Sequence, residues 1–264
     1  MNPSCDYIFS RSHERYRANR DVWKRSRDAY AGGVDYIRQA LIRHVSEIEL
    51  EYRERLSRAY YFNYPRKLAR IITQYILSVE PQREHCDAAL AEDFSRDGLR
   101  VNEVMRQFST LLNIYGSACL LVEMPFFTGE VDAERKKNER LRPCARALSP
   151  LEVVDWAVHP DGRLDWILIE EEDRIDHGPF EPVAEIVRRK LWTRREFFIF
   201  ERDRATGHVS LVRRGEHGLG CVPAVLLSEP DGFGLRSSHY FEDVVRISDA
   251  ILNNESEAQM NLVK

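Results

Sequence analysis

The spacing of apolar residues changes at Gly116, and that change limits what the chain can build. Before Gly116, apolar side chains recur at helical spacing; after it, short apolar runs are broken by turn residues. A switch from helical to strand periodicity predicts an α+β fold, with a helical N-terminal region packed on a mostly antiparallel β-sheet and a long closing helix. The chain divides accordingly into a helical region over residues 1–115, a β-rich region over 116–237 and a C-terminal helix over 238–264.

Within the first region, Tyr16, Val22, Trp23 and Tyr30 sit among arginines in a helix over 14–30, ended by Gly32-Gly33. Ile37, Leu41 and Val45 predict one buried face of a helix over 34–44. Ser46 with Glu49 three residues on has capping-box spacing. The helix it opens holds Glu49–Arg53, Glu51–Arg55 and Glu54–Arg58, each at i,i+4 with the acid first. A further helix spans 65–79, with Pro65 in its first turn and Pro81 beyond its end. Val101–Tyr115 follows, burying a stripe of Val104, Met105, Phe108, Leu111 and Leu112.

The β-rich region begins with a strand over Ser117–Glu123. Strands over 153–158 and 164–170 flank the turn His159-Pro160-Asp161-Gly162-Arg163, where Asp-Gly is a hairpin signal. Strands over 197–202 and 208–212 flank Ala205-Thr206-Gly207, and an apolar run over 221–227 follows His217-Gly218-Leu219-Gly220. Consecutive hairpins predict antiparallel pairing. The charged stretch 130–142 and the acidic run Glu170-Glu171-Glu172-Asp173 read as solvated loops. In the closing helix, Phe241, Val244, Val245, Ile247, Ile251 and Leu252 form the apolar side, interrupted by Asp249, Asn253, Asn254, Ser256, Glu257 and Asn261. Lys264 carries no terminating signal, which is expected of a helix that continues.

Composition narrows the function classes. Hydrophobic residues make up 43% and charged residues 31%, enough apolar material to close a core. A net charge of −4 argues against a dedicated nucleic-acid binder, since each phosphate contact needs a cation. Five scattered cysteines (Cys5, Cys86, Cys119, Cys144, Cys221), none in a C-x-x-C pair, argue against a disulfide framework or zinc knuckle and for a reducing compartment. The N-terminus lacks the apolar core of a signal peptide, and the apolar runs over 118–122 and 222–227 are too short to cross a membrane.

Motifs that carry chemistry are incomplete. Ser117 follows Gly116 without the second glycine of a nucleophile elbow, and no phosphate-binding loop is present. Gly218-Leu219-Gly220 has Pro223 where a dinucleotide fingerprint needs its third glycine, and no histidine pair has zinc spacing. Pro160-Asp161 before a strand, with Glu172-Asp173-Arg174 at its far end, is similar to a metal-dependent nuclease layout. Arginine, however, stands where a lysine should orient water. Clustered carboxylates at Glu170–Asp173, with Asp176 and His177 beyond, are the residues that would hold magnesium. Seven basic residues over 11–27 (Arg11, Arg15, Arg17, Arg20, Lys24, Arg25, Arg27) fall around a helix and suit salt bridges better than a phosphate track. The expectation is therefore no enzyme: no catalytic, cofactor-binding or metal-binding residues, and no cofactor.

The order of features carries a resemblance. Ala29-Tyr30-Ala31-Gly32-Gly33-Val34-Asp35-Tyr36 precedes Glu51-Tyr52-Arg53-Glu54-Arg55-Leu56 and Arg58-Ala59-Tyr60-Tyr61-Phe62-Asn63-Tyr64. A long helix then runs into Tyr115-Gly116-Ser117-Ala118-Cys119-Leu120-Leu121-Val122. Ser149-Pro150-Leu151-Glu152-Val153-Val154-Asp155-Trp156 and Asp161-Gly162-Arg163-Leu164-Asp165-Trp166-Ile167 follow. Next come Leu191-Trp192-Thr193, His217-Gly218-Leu219-Gly220-Cys221-Val222-Pro223 and Ile251-Leu252-Asn253-Asn254-Glu255-Ser256-Glu257. From about Tyr30 onward this series resembles the wing region of tailed-bacteriophage portal proteins.

The resemblance implies a virion protein assembled in the bacterial host cytoplasm. Its family forms a ring, usually of twelve copies, at one capsid vertex, contacting capsid protein, terminase and tail adaptors. DNA passes through the channel without sequence-specific binding, and no membrane is involved. The family's stem, clip and crown would follow the closing helix and are not in this sequence. A shortened form, one half of a split portal and a prophage remnant all remain open. The alternatives are another virion adaptor or assembly protein, or a metal-dependent nuclease.

Overall fold

A computed structural model describes residues 5–84, 87–124, 141–176, 178–179, 183–228, 235 and 239–263. Its first half holds α1 (Cys5–Ser10), α2 (Glu14–Ala31), α3 (Val34–Ala40), α4 (Glu49–Arg58), α5 (Tyr64–Ile76), α6 (Ala88–Glu92) and α7 (Val101–Tyr115). The strands are β1 (Ser117–Glu123), β2 (Cys144–Leu148), β3 (Val153–Val158), β4 (Leu164–Ile175), β5 (Ala184–Thr193), β6 (Glu196–Asp203), β7 (Val209–Glu216) and β8 (Ala224–Ser228). A last helix, α8, spans His239–Val263. This is the expected α+β fold. The strands form a three-stranded sheet ordered β2-β1-β8 and a five-stranded meander β3-β4-β5-β6-β7, with every pairing antiparallel. Most of the stretch 130–142 lies outside the described residues, as do His177, Ser238 and Lys264.

One apolar core joins all three stretches of the chain. Trp23 from α2, Cys119 and Leu121 from β1, Ile167 and Ile169 from β4, Trp192 from β5, and Phe241 and Leu252 from α8 belong to a single buried cluster. Leu168, between Ile167 and Ile169, points to the other face of the meander. There it meets Ile8, Val154 and Phe200 beneath α1. β4 is thus buried on both faces at its centre, which explains its unbroken apolar run.

Several local expectations hold. α7 spans the predicted residues and stops at Gly116, whose left-handed backbone (φ 70°) lets its N–H reach Leu112 O at 2.8 Å. Val104 and Phe108 are buried, with Met105, Leu111 and Leu112 half-buried beside them. The turns at 159–163 and 205–207 join β3 to β4 and β6 to β7.

Other expectations are corrected, two of them by long-range polar contacts. α3 ends at Ala40 rather than 44, because Asn253 of α8 engages the backbone on both sides of Leu41. Its Nδ2 donates to Ala40 O (3.1 Å) and its Oδ1 accepts from Ile42 N (2.8 Å). Leu41, held in extended conformation, is buried, whereas Val45 is fully exposed. α4 is not capped by Ser46, which instead lies 3.1 Å from His44 Nδ1. Ile48 occupies the cap position, with its N–H directed at Glu51 Oε2. Glu49–Arg53 and Glu54–Arg58 form as predicted, but Arg55 leaves the helix surface. It is 3% exposed and donates to Glu47 (2.8 Å), to Ile42 O (2.7 Å) and to Ser256 Oγ of α8 (3.0 Å). α5 ends at Ile76 rather than 79.

The face of α8 is corrected in the same way. Phe241, Val245 and Leu252 are buried as expected, yet Ile247 is 61% exposed, while Ser248, Asp249 and Ser256 turn inward. Asp249 accepts from Tyr36 Oη and from Arg25 Nη2, both at 2.6 Å. Asp249, Asn253 and Ser256 follow one another at i, i+4 and i+7, so a polar row runs along the packed side of the helix. Each member meets a different part of the N-terminal region.

α2 and α5 meet end to end through Asn63. Its Oδ1 accepts from Arg66 N and caps α5, while its Nδ2 donates to Tyr30 O at the end of α2. The approach leaves no room at Gly32, which sits at φ 61°, ψ −156°. A Cβ there would lie 2.6 Å from Asn63 Nδ2. Gly32→Ala is expected to lower stability by about 2 kcal/mol, measured by urea unfolding, through strain at a backbone conformation nearly restricted to glycine. Arg55→Ala leaves Glu47 desolvated without its cation and should cost on the order of 3 kcal/mol in the same assay.

Candidate functional site

A cleft of about 1060 Å³ opens between the two sheets, and its walls are charged. Acidic and basic side chains line it in equal number. Glu123 and Arg146 come from the three-stranded sheet, Glu170 to Asp173 from β4, Arg188 and Lys190 from β5, and Arg20, Lys24 and Arg27 from α2. The last three lie at i, i+4 and i+7, so part of the basic N-terminal segment does form a stripe. Two other members of that segment turn elsewhere: Arg11 pairs with buried Asp155 (2.9 Å) and Arg25 with Asp249.

Four of these charges bind the sheets to each other. Lys190 Nζ lies 3.0 Å from Glu123 and 3.1 Å from Glu171, and Arg146 closes the group by pairing with Glu171. Each sheet contributes one acid and one base, so the cluster is neutral as a whole. Burial pushes the Glu171 carboxyl up, but Lys190 and Arg146 together outweigh it and hold the group below the usual carboxylate range.

The acidic run expected to be a solvated loop is therefore part of β4, because β5 lays a basic run against it. Glu170 stands opposite Arg189 and Glu171 opposite Arg188. Glu170 pairs with Arg189 at 2.6 Å, Asp173 with Arg188 at 3.0 Å, Glu172 with Arg204, and Arg188 also with Glu201 at 2.7 Å. Opposite charges across an antiparallel ladder stabilise the pairing, and β4 extends five residues past its predicted end.

The nuclease constellation does not assemble. Asp161 sits in the turn before β4, where its Oδ1 accepts from Arg163 N (3.0 Å). This bond and His159 lower its pKa. Glu172 and Asp173 lie at the opposite end of the same strand, roughly 25 Å away at about 3.3 Å per residue, too far to share an ion. Among the described residues, no group of three or more His, Cys, Asp or Glu side chains is placed to hold a metal. Ser117 is fully buried at the start of β1. Gly218-Leu219-Gly220 leads into β8 rather than a helix. Cys119 is buried, which pushes its thiol up to about 12 and leaves it protonated at neutral pH. Among the described residues, no helix is long and apolar enough to cross a membrane.

The residues that sequence reasoning missed are Arg146, Arg188 and Lys190, on strands the spacing did not reveal in full. A signal was present: an acidic run over 170–173 and a basic run over 188–190 are separated by a length that suits a hairpin. What the arrangement does chemically is hold two sheets together with charges already engaged by one another. A double-mutant cycle on Lys190→Met and Glu171→Gln tests this. Either single change should cost about 2 kcal/mol, less than a fully buried pair because Arg146 is partly solvated, and the double change should cost clearly less than the sum.

No protein-family model matches the chain, and no curated protein shows significant sequence similarity to it.

Proposed function

We propose that this chain is a structural subunit of a phage portal ring, the assembly at the capsid vertex through which DNA is packaged and to which the tail attaches. In this reading the chain is the wing portion. The observation that carries the reading is the ordered series of segments from Tyr30 to Glu257, which resembles the portal wing from end to end rather than at one motif.

The fold is compatible with that role. A helical region, an antiparallel β-region and a long closing helix share one core. The charged residues that looked most like chemistry, Glu170 to Asp173, are spent on ion pairs within and between sheets. Large, partly polar faces are what repeated subunit contacts require. A virion adaptor that binds another component without forming its own ring is the competing reading.

The solution mass of the purified chain, measured by light scattering at low and high salt, separates them. A particle near twelve times the chain mass is the expected outcome. A monomer at every concentration and salt would count against the ring and in favour of the adaptor.

A further inference from the structure

α5 is apolar on two sides. Pro65, Ala69 and Thr73 are small and buried against the rest of the molecule. Tyr64, Leu68, Ile71 and Tyr75 follow one another at i, i+4, i+7 and i+11 on the solvent side, with Ile71 60% and Tyr75 82% exposed. Ile76 and Val79 extend this surface. Lys67 and Arg70 are exposed beside it, and the helix contains no carboxylate. An apolar stripe of this length on a surface marks a docking site.

α8 presents the opposite character. Asp243, Ile247, Ala250, Asn254 and Glu257 are exposed at i, i+4, i+7, i+11 and i+14, with Glu255 exposed alongside. Arg246, the base on this side, is engaged by Glu242 at 2.6 Å. Next to Ala250 and Asn254 a groove of about 570 Å³ separates α8 from α3, lined also by Gln39 and by Ile42, which is 72% exposed.

We infer that the outer face of α5 docks on the outer face of α8 in a second copy of this chain. Contact of α5 with another α5 brings cations together, and α8 with α8 brings carboxylates together; α5 on α8 pairs opposite charges and seats apolar side chains in a groove. The helices run antiparallel. Tyr75 then lies at the groove beside Ala250, Ile71 at Asn254, and Lys67 at Glu257, because the eight helical steps from 67 to 75 and the seven from 250 to 257 span nearly the same length, about 12 and about 10 Å. Two unlike faces make a head-to-tail contact that repeats from copy to copy. The inference rests on the proposed ring and names the contact that would build it.

Single-stranded nucleic acid is the rival occupant. Tyr60, Phe62 and Tyr64 keep their rings 4.8 and 6.1 Å apart beside Lys67, an arrangement on which bases stack. Leu68, Ile71 and Ile76 offer no ring face, and they favour a protein partner.

Charge reversal on the full chain tests the contact, read by light scattering over a range of concentrations, with circular dichroism as the control for folding. Lys67→Glu with Arg70→Glu, and separately Glu255→Lys with Glu257→Lys, should each weaken self-association about tenfold or more. Mixing the two reversed proteins should restore assembly, since each then meets a complementary face. If the native chain assembles but the reversed variants assemble equally well, or the mixture stays dissociated, the α5–α8 contact is wrong while the ring stands. A native chain that remains monomeric overturns both. A monomer that binds fluorescent oligothymidine, and loses it on Lys67→Glu with Arg70→Glu, assigns the surface to nucleic acid and overturns the docking of a second copy.

Discussion

Burial of polar side chains on the inner face of α8 is the constraint on which the helical half depends. Asp249, Asn253 and Ser256 are placed where a helix ordinarily presents aliphatic residues, and a buried polar atom without a partner is costly. Each is satisfied from a different place: Asp249 by Tyr36 and Arg25, Asn253 by the backbone at Ala40 and Ile42, Ser256 by Arg55. These bonds fix the rotation and the register of α8 against α2, α3 and α4. Apolar packing alone tolerates sliding; a row of specific donors and acceptors does not.

A second constraint of the same kind holds the β half. Glu123, Arg146, Glu171 and Lys190 lie between two sheets that, among the described residues, share no ladder hydrogen bonds. Removing four charges from water is expensive, and their mutual attraction offsets that cost only in good geometry. Such a cluster contributes orientation more surely than stability. It also accounts for the cleft: side chains this long hold sheets apart where aliphatic ones would let them close.

Both constraints bear on function through what they leave outside. The inner faces of α5 and α8 are occupied, and their outer faces carry apolar side chains with cations on one and carboxylates on the other. These two exposed faces are of opposite sign. A structural role built on repeated contacts is consistent with that distribution, as is the commitment of the densest carboxylates to ion pairs inside the molecule.

The sequence by itself determined the fold class and most element positions, because both follow from local rules. The change of period at Gly116, the glycine stop of α7 and the hairpin turns at 159–163 and 205–207 depend on neighbours along the chain. Tertiary structure decided the rest wherever a distant partner outweighed a local preference. Arg55 is an ordinary i,i+4 surface cation in sequence and a buried anchor in the fold. Asn253, more than two hundred residues away, ends α3 at Ala40. Four consecutive acids resemble a solvated loop until three consecutive bases are laid beside them as a strand. For Arg55 and Asn253, long-range hydrogen bonds to α8 or from it exceeded the few tenths of a kcal/mol that separate local alternatives. Partners as far apart in sequence as Asn253 and Ala40 leave no mark on local spacing.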